Sequence, residues 1–291
     1  MNYTIKNLIL TPFNILYSIS PETVLKILFK MKNGYKLDLK HPTTYNEKLQ
    51  CVKLYYKNPL LTKLVDKYSV REYVQEKAPE ILPKLYWNGF DAKDIPWGGV
   101  PERFVIKVTH GSGFNIICTN KCQLDKKKVT VKLNKWLNAK FLKCYGEWWY
   151  GVEKPRIIIE EYLDNGTGKA PEDYKIMCFN GKAKYIFVDT DRFTEHKRNV
   201  YDLNWNFCSG VTLNFKNDAP IPKPANLEEL IRYAEILSKG FPHVRVDLFD
   251  VNKKIYFGEM TFANGTGFDR IEPHQFDVEL GSYFNITTKK D

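Results

Sequence analysis

The sequence predicts an α+β chain, and three features carry that expectation. Asp173–Phe179 and Lys182–Asp189 are β-like runs joined by Asn180-Gly181, a strong two-residue hairpin signal. His243–Phe249 and Lys254–Glu259 form a second pair of runs around a turn at Asp250, Val251 and Asn252. Helical periodicity alternates with these hairpins irregularly, unlike the regular strand–helix repeat of a parallel sheet.

Residues 1 to about 66 read as helices with loops. A helix over Glu22–Met31 follows a Ser20-Pro21 start, and another over Tyr45–Tyr56 is opened by Thr43 or Thr44. From Asp66, DKYSVREYVQEK reads as a charged amphipathic helix with Tyr68, Val70, Tyr73 and Val74 turned inward. Phe104–Val108, the loop HGSG and Asn115–Cys118 make a strand–glycine loop–strand hairpin. Leu124–Leu142 carries Val129, Leu133, Trp136 and Leu137 at helical spacing, and Arg156–Leu163 is an apolar strand ending in acids. Residues 190–225 are loop-rich and end in Pro220, Pro222 and Pro224. Leu227–Lys239 is a helix capped by Asn226 and stopped by Gly240. There is no internal repeat or low-complexity tract.

The 291 residues are 43% hydrophobic and 14% aromatic, enough for a core in one large or two modest domains, which excludes a globally disordered chain. Lys and Arg number 44 against 34 Asp and Glu, a net +10. That surplus favours a polyanionic partner without choosing among nucleotide phosphate, nucleic acid, anionic lipid and acidic polysaccharide. The six cysteines fit no disulfide framework, and Cys118-x3-Cys122 lacks a second Cys/His pair, so free thiols and a cytoplasmic setting are expected. The N-terminal apolar runs are broken by Lys6, Asn7, Pro12, Asn14 and Pro21, short of the roughly 18–20 residues of a spanning helix, and lack a signal-peptide cleavage pattern. Leu25, Ile27, Leu28 and Met31 with Lys26, Lys30 and Lys32 form a basic amphipathic pattern. It is expected to pack on the body and leaves peripheral contact with an inner membrane surface open.

Three groups of residues carry chemistry. Lys107 ends a strand directly before His110-Gly111-Ser112-Gly113. A lysine neutralises phosphate oxygens and glycines let backbone N–H groups close around them, although an ordinary turn would look similar and no P-loop pattern follows. Ile157-Ile158-Ile159-Glu160-Glu161-Tyr162-Leu163 puts two carboxylates at the end of a buried strand, where a hinge could meet a nucleotide or simply reach solvent. Asp247 and Glu259 face each other across the second hairpin, with Arg245 on the strand face of Asp247 and the glycine loop Asn264–Gly267 behind. Two acids suffice for Mg²⁺, which prefers one or two carboxylates plus phosphates to a full protein cage.

In this order, Lys107 with HGSG, IIIEEYL, DYKIMCFNG and RVDLF…IYFGEMT…GTG resemble the ATP-grasp superfamily. The closer resemblance, over roughly residues 40 to 285, is to the teichuronopeptide-biosynthesis (TupA-like) family of polysaccharide gene clusters. It rests on DKYSVREYV, HGSGFNIIC, KPRIIIEEYL, DYKIMCFNGKAKYIFVDTDR and FPHVRVDLFDVNKKIYFGEMTF. The resemblance implies an ATP-grasp fold with two α+β lobes gripping ATP. Its boundaries would be a helical region 1–66, a first lobe 67–162 and a second lobe 163–291. It also implies that ATP phosphorylates a carboxylate and an amine displaces the phosphate to leave an amide.

Carried onto this sequence, Lys107 resembles the first-lobe phosphate lysine, and Gly111, Ser112 and Gly113, after His110, the phosphate lid. Glu160, Glu161, Tyr162 and Leu163 resemble the adenine–ribose hinge, and Lys175 a second nucleotide-phosphate contact. Asp247 and Glu259 resemble the Mg²⁺ ligands, and Arg245 the arginine stabilising the acyl phosphate. Gly265, Thr266 and Gly267 resemble the loop that closes on the reacting carboxylate. Thr261 is a departure, because many ATP-grasp ligases have Asn there, and it puts a second Mg²⁺ in doubt.

Arg192, Lys197 and Arg198 are candidates for binding a carboxylate, the γ-phosphate or an acidic sugar, and His196 for a phosphate contact or a base. Trp148, Trp149 and Tyr150 offer flat faces to a sugar or belong to the core. The expected partners are an acidic glycan or its lipid-linked precursor and an amino acid or other small amine, with a uronic acid supplying the carboxylate. The sequence lacks the Asp-x-Asp of a rival sugar-nucleotide transferase, and its basic residues are spread along the chain, so no nucleic-acid partner is expected.

Overall fold

The computed structural model describes residues 3–168, 170–190, 196–215 and 217–286. Helix α1 (Tyr3–Ile19) runs through Pro12 and is followed by α2 (Pro21–Asn33). Helix α3 (Tyr45–Tyr55) is opened by Thr44, not Thr43. The Thr44 hydroxyl accepts from Glu47 N–H at 3.1 Å while the Glu47 carboxylate accepts from Thr44 N–H at 3.1 Å, a reciprocal capping box. After α4 (Leu60–Leu64), helix α5 (Val70–Lys77) begins later than the amphipathic pattern predicts. The Asp66 carboxylate takes the N–H groups of Tyr68 and Ser69 at 3.0 and 2.9 Å and holds that stretch in a turn.

Among the described residues the first sheet comprises β1 (Leu85–Gly89), β2 (Phe104–Val108), β3 (Asn115–Cys118) and β4 (Ile157–Glu161), antiparallel in the order β1-β4-β2-β3. Helix α6 (Lys126–Leu137) covers it through Val129 and Leu133. The second part contains β5 (Asp173–Phe179), β6 (Lys182–Thr190), β7 (Lys197–Asp202), β8 (Thr212–Leu213) and α7 (Leu227–Ser238). It continues with β9 (His243–Val251), β10 (Lys254–Thr261), β11 (Ile271–Glu272) and α8 (His274–Ser282). Its main sheet is antiparallel in the order β10-β9-β5-β6-β7, and β11 pairs with β8. The α+β class expected from the sequence is the one the chain adopts.

Alternation along β9 decides what each face does. Val244, Val246 and Leu248 are buried in the same core as Leu230 and Leu237 of α7. His243, Arg245 and Asp247 occupy the opposite face, where α3 also packs: the Tyr45 hydroxyl lies 2.8 Å from His243 Nε2. Helix α8 locks α3 in place, since the Asp277 carboxylate accepts from Asn46 N–H at 3.0 Å.

Other readings of the sequence change as well. The 190–225 stretch holds strands β7 and β8, and β1 was not legible as a strand. The β9–β10 turn is Asn252-Lys253, with φ of 53° and 63°, rather than Asp250–Asn252. Positive φ at both central residues gives the turn the twist that adjoining strands need. Asn226 does not cap α7 with its side chain, which instead donates to Asp250 Oδ1 at 3.0 Å.

Candidate active site

Arg245, Asp247, Glu259 and Thr261 form one cluster because β9 and β10 are paired in register. Asp247 stands opposite Glu259 and Arg245 opposite Thr261. Arg245 Nε donates to Asp247 Oδ1 at 2.6 Å and Nη2 to Oδ2 at 2.7 Å, a two-point carboxylate fork. The same Nη2 reaches Glu259 Oε1 at 3.2 Å and Thr261 Oγ1 at 3.1 Å, while Nη1 donates to Asn264 Oδ1. Thr261 therefore orients the arginine in this structure. Glu259 is the open member of the set, its side chain 41% exposed against 4% for Asp247.

Behind this cluster a line of charge crosses the sheet. Lys175 Nζ donates to Asp247 Oδ2 at 2.9 Å and to Asp173, and lies 3.6 Å from Asp189. Arg198 grips Asp189 with Nε at 2.5 Å and Nη2 at 3.0 Å, and His196 Nε2 lies 3.3 Å from the same carboxylate. Burial would raise the Asp189 carboxyl, but the Arg198 hydrogen bonds and the Lys175 charge hold it well below the usual carboxylate range. Asp173, Asp189 and Asp247 are thus matched by Lys175, Arg198 and Arg245, all buried. Removing one member would leave a buried charge unpaired.

The first sheet supplies the opposite wall. Lys107 Nζ lies 2.7 Å from Glu160 Oε2, and Arg71 Nη1 donates to Glu160 Oε1 at 2.7 Å. Glu161 accepts from Lys84 N–H at 3.2 Å, Tyr162 lies 4.5 Å beneath the Arg103 guanidinium, and Leu163 is half-buried. The loop His110–Gly113 is rooted at both ends. His110 Nε2 lies 2.9 Å from the Ala139 carbonyl, and Phe114 stacks on Trp136 at 5.2 Å. Lys67 donates to the Gly111 carbonyl at 2.9 Å and comes within 3.8 Å of Glu259 Oε2, so one side chain spans both walls.

Between the walls lies a cavity of about 450 Å³. Its lining includes His110, Gly111 and Ser112 from the first wall and Arg245, Glu259 and Thr261 from the second, with Gly265 and Thr266 beside them. Lys107, Gly113, the Glu160–Leu163 segment, Lys175, Asp247, His196, Lys197, Arg198 and Gly267 do not line it among the described residues. Lys197 pairs with Asp218 at 3.3 Å on strand β7, and Arg192 lies outside the described residues. The Gly265–Gly267 loop is fixed to α3. Gln50 Nε2 donates to the Gly267 carbonyl at 2.7 Å and Lys53 Nζ to the Thr266 carbonyl at 2.8 Å. A methyl group at Gly267 would meet Gln50 Nε2 at 2.5 Å. Trp149 is core, whereas Tyr150 lines the cavity and stacks on Phe141 at 4.7 Å.

Sequence reasoning did not single out Lys67, Asn264 or Glu147 as site residues, whereas Tyr150 was a candidate aromatic face. Asn264 stood in the glycine loop and had a signal; Lys67 and Glu147 are joined to the site only by the fold. Chemically, Asp247 and Glu259 are two adjacent oxygen donors, one open to the cavity. Two adjacent carboxylates are the kind of donors that a hard dication completed by phosphate oxygens takes; here both Asp247 oxygens are engaged by Arg245 and Lys175, and Glu259 is the one facing the cavity. Among the described residues no group of three or more His, Cys, Asp or Glu forms a closed metal cage, and no helix is long and apolar enough to cross a membrane.

No curated protein matches the chain. Among solved structures it is similar to the D-alanine–D-alanine ligase from Bacillus anthracis complexed with ATP, at 15% identity and a TM-score of 0.42, over 70% of this chain and 57% of that one. It is similar to the L-amino acid ligase from Bacillus licheniformis at 14% identity and a TM-score of 0.47, over 76% and 49%. It is also similar to the D-alanine–D-alanine ligase from Helicobacter pylori at 14% identity and a TM-score of 0.46, over 84% and 70%. The chain thus spans less than two thirds of the first two relatives. The family described as TupA-like ATPgrasp matches residues 47–285, which takes in most of α3, both sheets and every residue of the clusters above. The chain belongs to the TupA-like ATPgrasp family.

Proposed function

We propose that this protein is an ADP-forming ligase that joins a carboxylate to an amine, attaching an amino acid or related amine to a uronic acid carboxylate. The acceptor is a surface polysaccharide of capsular or O-antigen type or its lipid-linked precursor. The observation that carries the reading is the Arg245 fork. It ties Asp247, Glu259 and Thr261 together at the edge of a cavity whose far wall is a glycine loop. An anion-stabilising arginine, two oxygen donors for a dication and a backbone able to approach phosphate are what phosphoryl transfer to a carboxylate needs.

In this reading 1–66 is a helical support and 67–162 and 163–291 are lobes that close on ATP. Asp247 and Glu259 would hold Mg²⁺, which when bound would draw charge from the transferred phosphoryl group. Lys107 and the His110–Gly113 loop contact phosphates, Glu160–Leu163 carries the base and ribose, and Arg245 steadies the developing negative charge on the acylated carboxylate. The net charge of +10 suits an acidic glycan. Exposed Ile15, Ile19, Ile27 and Met31, near Lys26 and Lys30, suit contact with the inner membrane surface, where a lipid-linked precursor is presented on the cytoplasmic side. The test is ADP release with ATP, Mg²⁺, a glucuronic acid oligosaccharide and a panel of amino acids. Amine-dependent ADP with a new amide by mass spectrometry is expected. ADP-free transfer from a nucleotide sugar instead would overturn the assignment in favour of a glycosyltransferase.

A further inference from the structure

The cavity has a second charged side, formed by the segment between α6 and β4. A 3₁₀ turn at Lys143–Tyr145, closed by Gly146 at φ 80°, presents Glu147, and Tyr145, Glu147 and Tyr150 all line the cavity. Glu147 retains some exposure toward that space. Lys53 is the cation that acts on it, but Lys53 is fully buried in α3 and directs its ammonium to the Thr266 carbonyl at 2.8 Å, over the Phe268 ring at 4.3 Å. The described residues place no cationic nitrogen within 4 Å of the Glu147 carboxylate. Phe141 stacked on Tyr150 gives an apolar, cation-tolerant wall, and the Tyr150 phenol feels both Glu147 and Glu259.

We propose that Glu147 is the amine subsite: it binds the ammonium group of the incoming substrate across the cavity from Arg245 and takes the proton that must leave before attack. This rests on the ligase reading above. The arrangement suits the chemistry, because an ammonium has no lone pair and a carboxylate in a confined cavity both selects it and deprotonates it. Burial pushes the Glu147 carboxyl up to about 7, with the charge of Lys53 opposing. The substrate nitrogen loses one proton to Glu147 and its lone pair forms the C–N bond to the acyl carbon. The C–O bond breaks with its electrons going to phosphate, and the second nitrogen proton leaves with that phosphate. The substrate class is a primary amine that is cationic at neutral pH.

The test compares two nucleophiles on the intact protein with ATP, Mg²⁺ and a glucuronic acid oligosaccharide. Hydroxylamine is largely uncharged at neutral pH and traps an acyl phosphate without help from a base; L-alanine, L-lysine and glucosamine arrive as cations. Glu147→Gln is expected to keep hydroxamate formation within about threefold of wild type. Its kcat/KM for the cationic amines should fall about 100-fold or more, the scale of a lost general base. Glu147→Asp, which keeps the charge, should recover part of the loss. Unchanged amine kinetics in Glu147→Gln would overturn the proposal, as would an equal loss of hydroxamate in a folded variant. Wild-type protein that makes no hydroxamate would overturn the ligase reading itself, and the subsite with it.

Discussion

Arg245 serves Asp247, Glu259, Thr261 and Asn264 with one guanidinium, so the cluster depends on its planar fork, which lysine cannot reproduce. Glu259 is the residue on which a metal role can be tested most cleanly. It is half-exposed, and its pairings with Arg245 and Lys67 are worth about 1 kcal/mol or less each to stability. Glu259→Gln should therefore unfold with nearly the wild-type denaturation midpoint while Mg²⁺-dependent turnover falls on the order of 100-fold. A folded Glu259→Gln that keeps its rate would remove this carboxylate from the metal role. At this scale the sequence was readable where chemistry is local. A hairpin with period-two alternation brings Arg245, Asp247, Glu259 and Thr261 together whatever the rest of the chain does. Glu147 and Lys67 are joined to them only by packing across the cleft, for which neither spacing nor composition leaves a trace.

Elements were legible in proportion to the apolarity of their buried face. Strands β2, β3 and β5 agree with the sequence residue for residue. Strand β7, KRNVYD, was invisible because its buried positions include Arg198 and Asn199, which are satisfied by Asp189 and by the Ala219 carbonyl rather than by apolar neighbours. Strand β1, LYWNG, is too short and too evenly half-buried to alternate. Helix α3 carries unusual weight, since its start is fixed by the Thr44–Glu47 box and its buried Gln50 and Lys53 hold the glycine loop. Thr44→Ala also loses the contact with the Tyr35 hydroxyl at 3.0 Å. It should cost about 1–2 kcal/mol, read as a lower urea midpoint, with KM for ATP unchanged. An unshifted midpoint would mean that α8 alone fixes α3.

For the molecule as a whole, the core joining α3, α8 and the second sheet contains a proton-sensitive group. His243 is stacked on Phe179, with Nδ1 2.9 Å from the Cys178 carbonyl and Nε2 facing the Tyr45 hydroxyl. Burial pushes its pKa down to about 3, helped by the charge of Arg245 and opposed by the Cys178 carbonyl. A folded pKa below the unfolded value of about 6.5 means that the unfolded chain binds the extra proton. Stability is then intact above pH 6.5 and is lost as pH falls toward 3, by about 2 kcal/mol at pH 5. Urea midpoints at pH 7 and pH 5 should differ accordingly, and His243→Gln should flatten the difference. A variant as acid-sensitive as wild type would assign the loss to other groups. The two-sheet architecture was foreseeable from hairpins and the family motifs, whereas the embedding of α3, α4 and α5 in the second sheet's core was not.

The Phe114–Trp136 stack at the root of the glycine loop gives the protein an optical reporter. Indole emission responds to the polarity and ring contacts around it, and this indole touches the segment that would close on phosphate. Nucleotide titration of the unlabelled protein can therefore be followed by intrinsic fluorescence, with Trp136→Phe as the silent control among the six tryptophans.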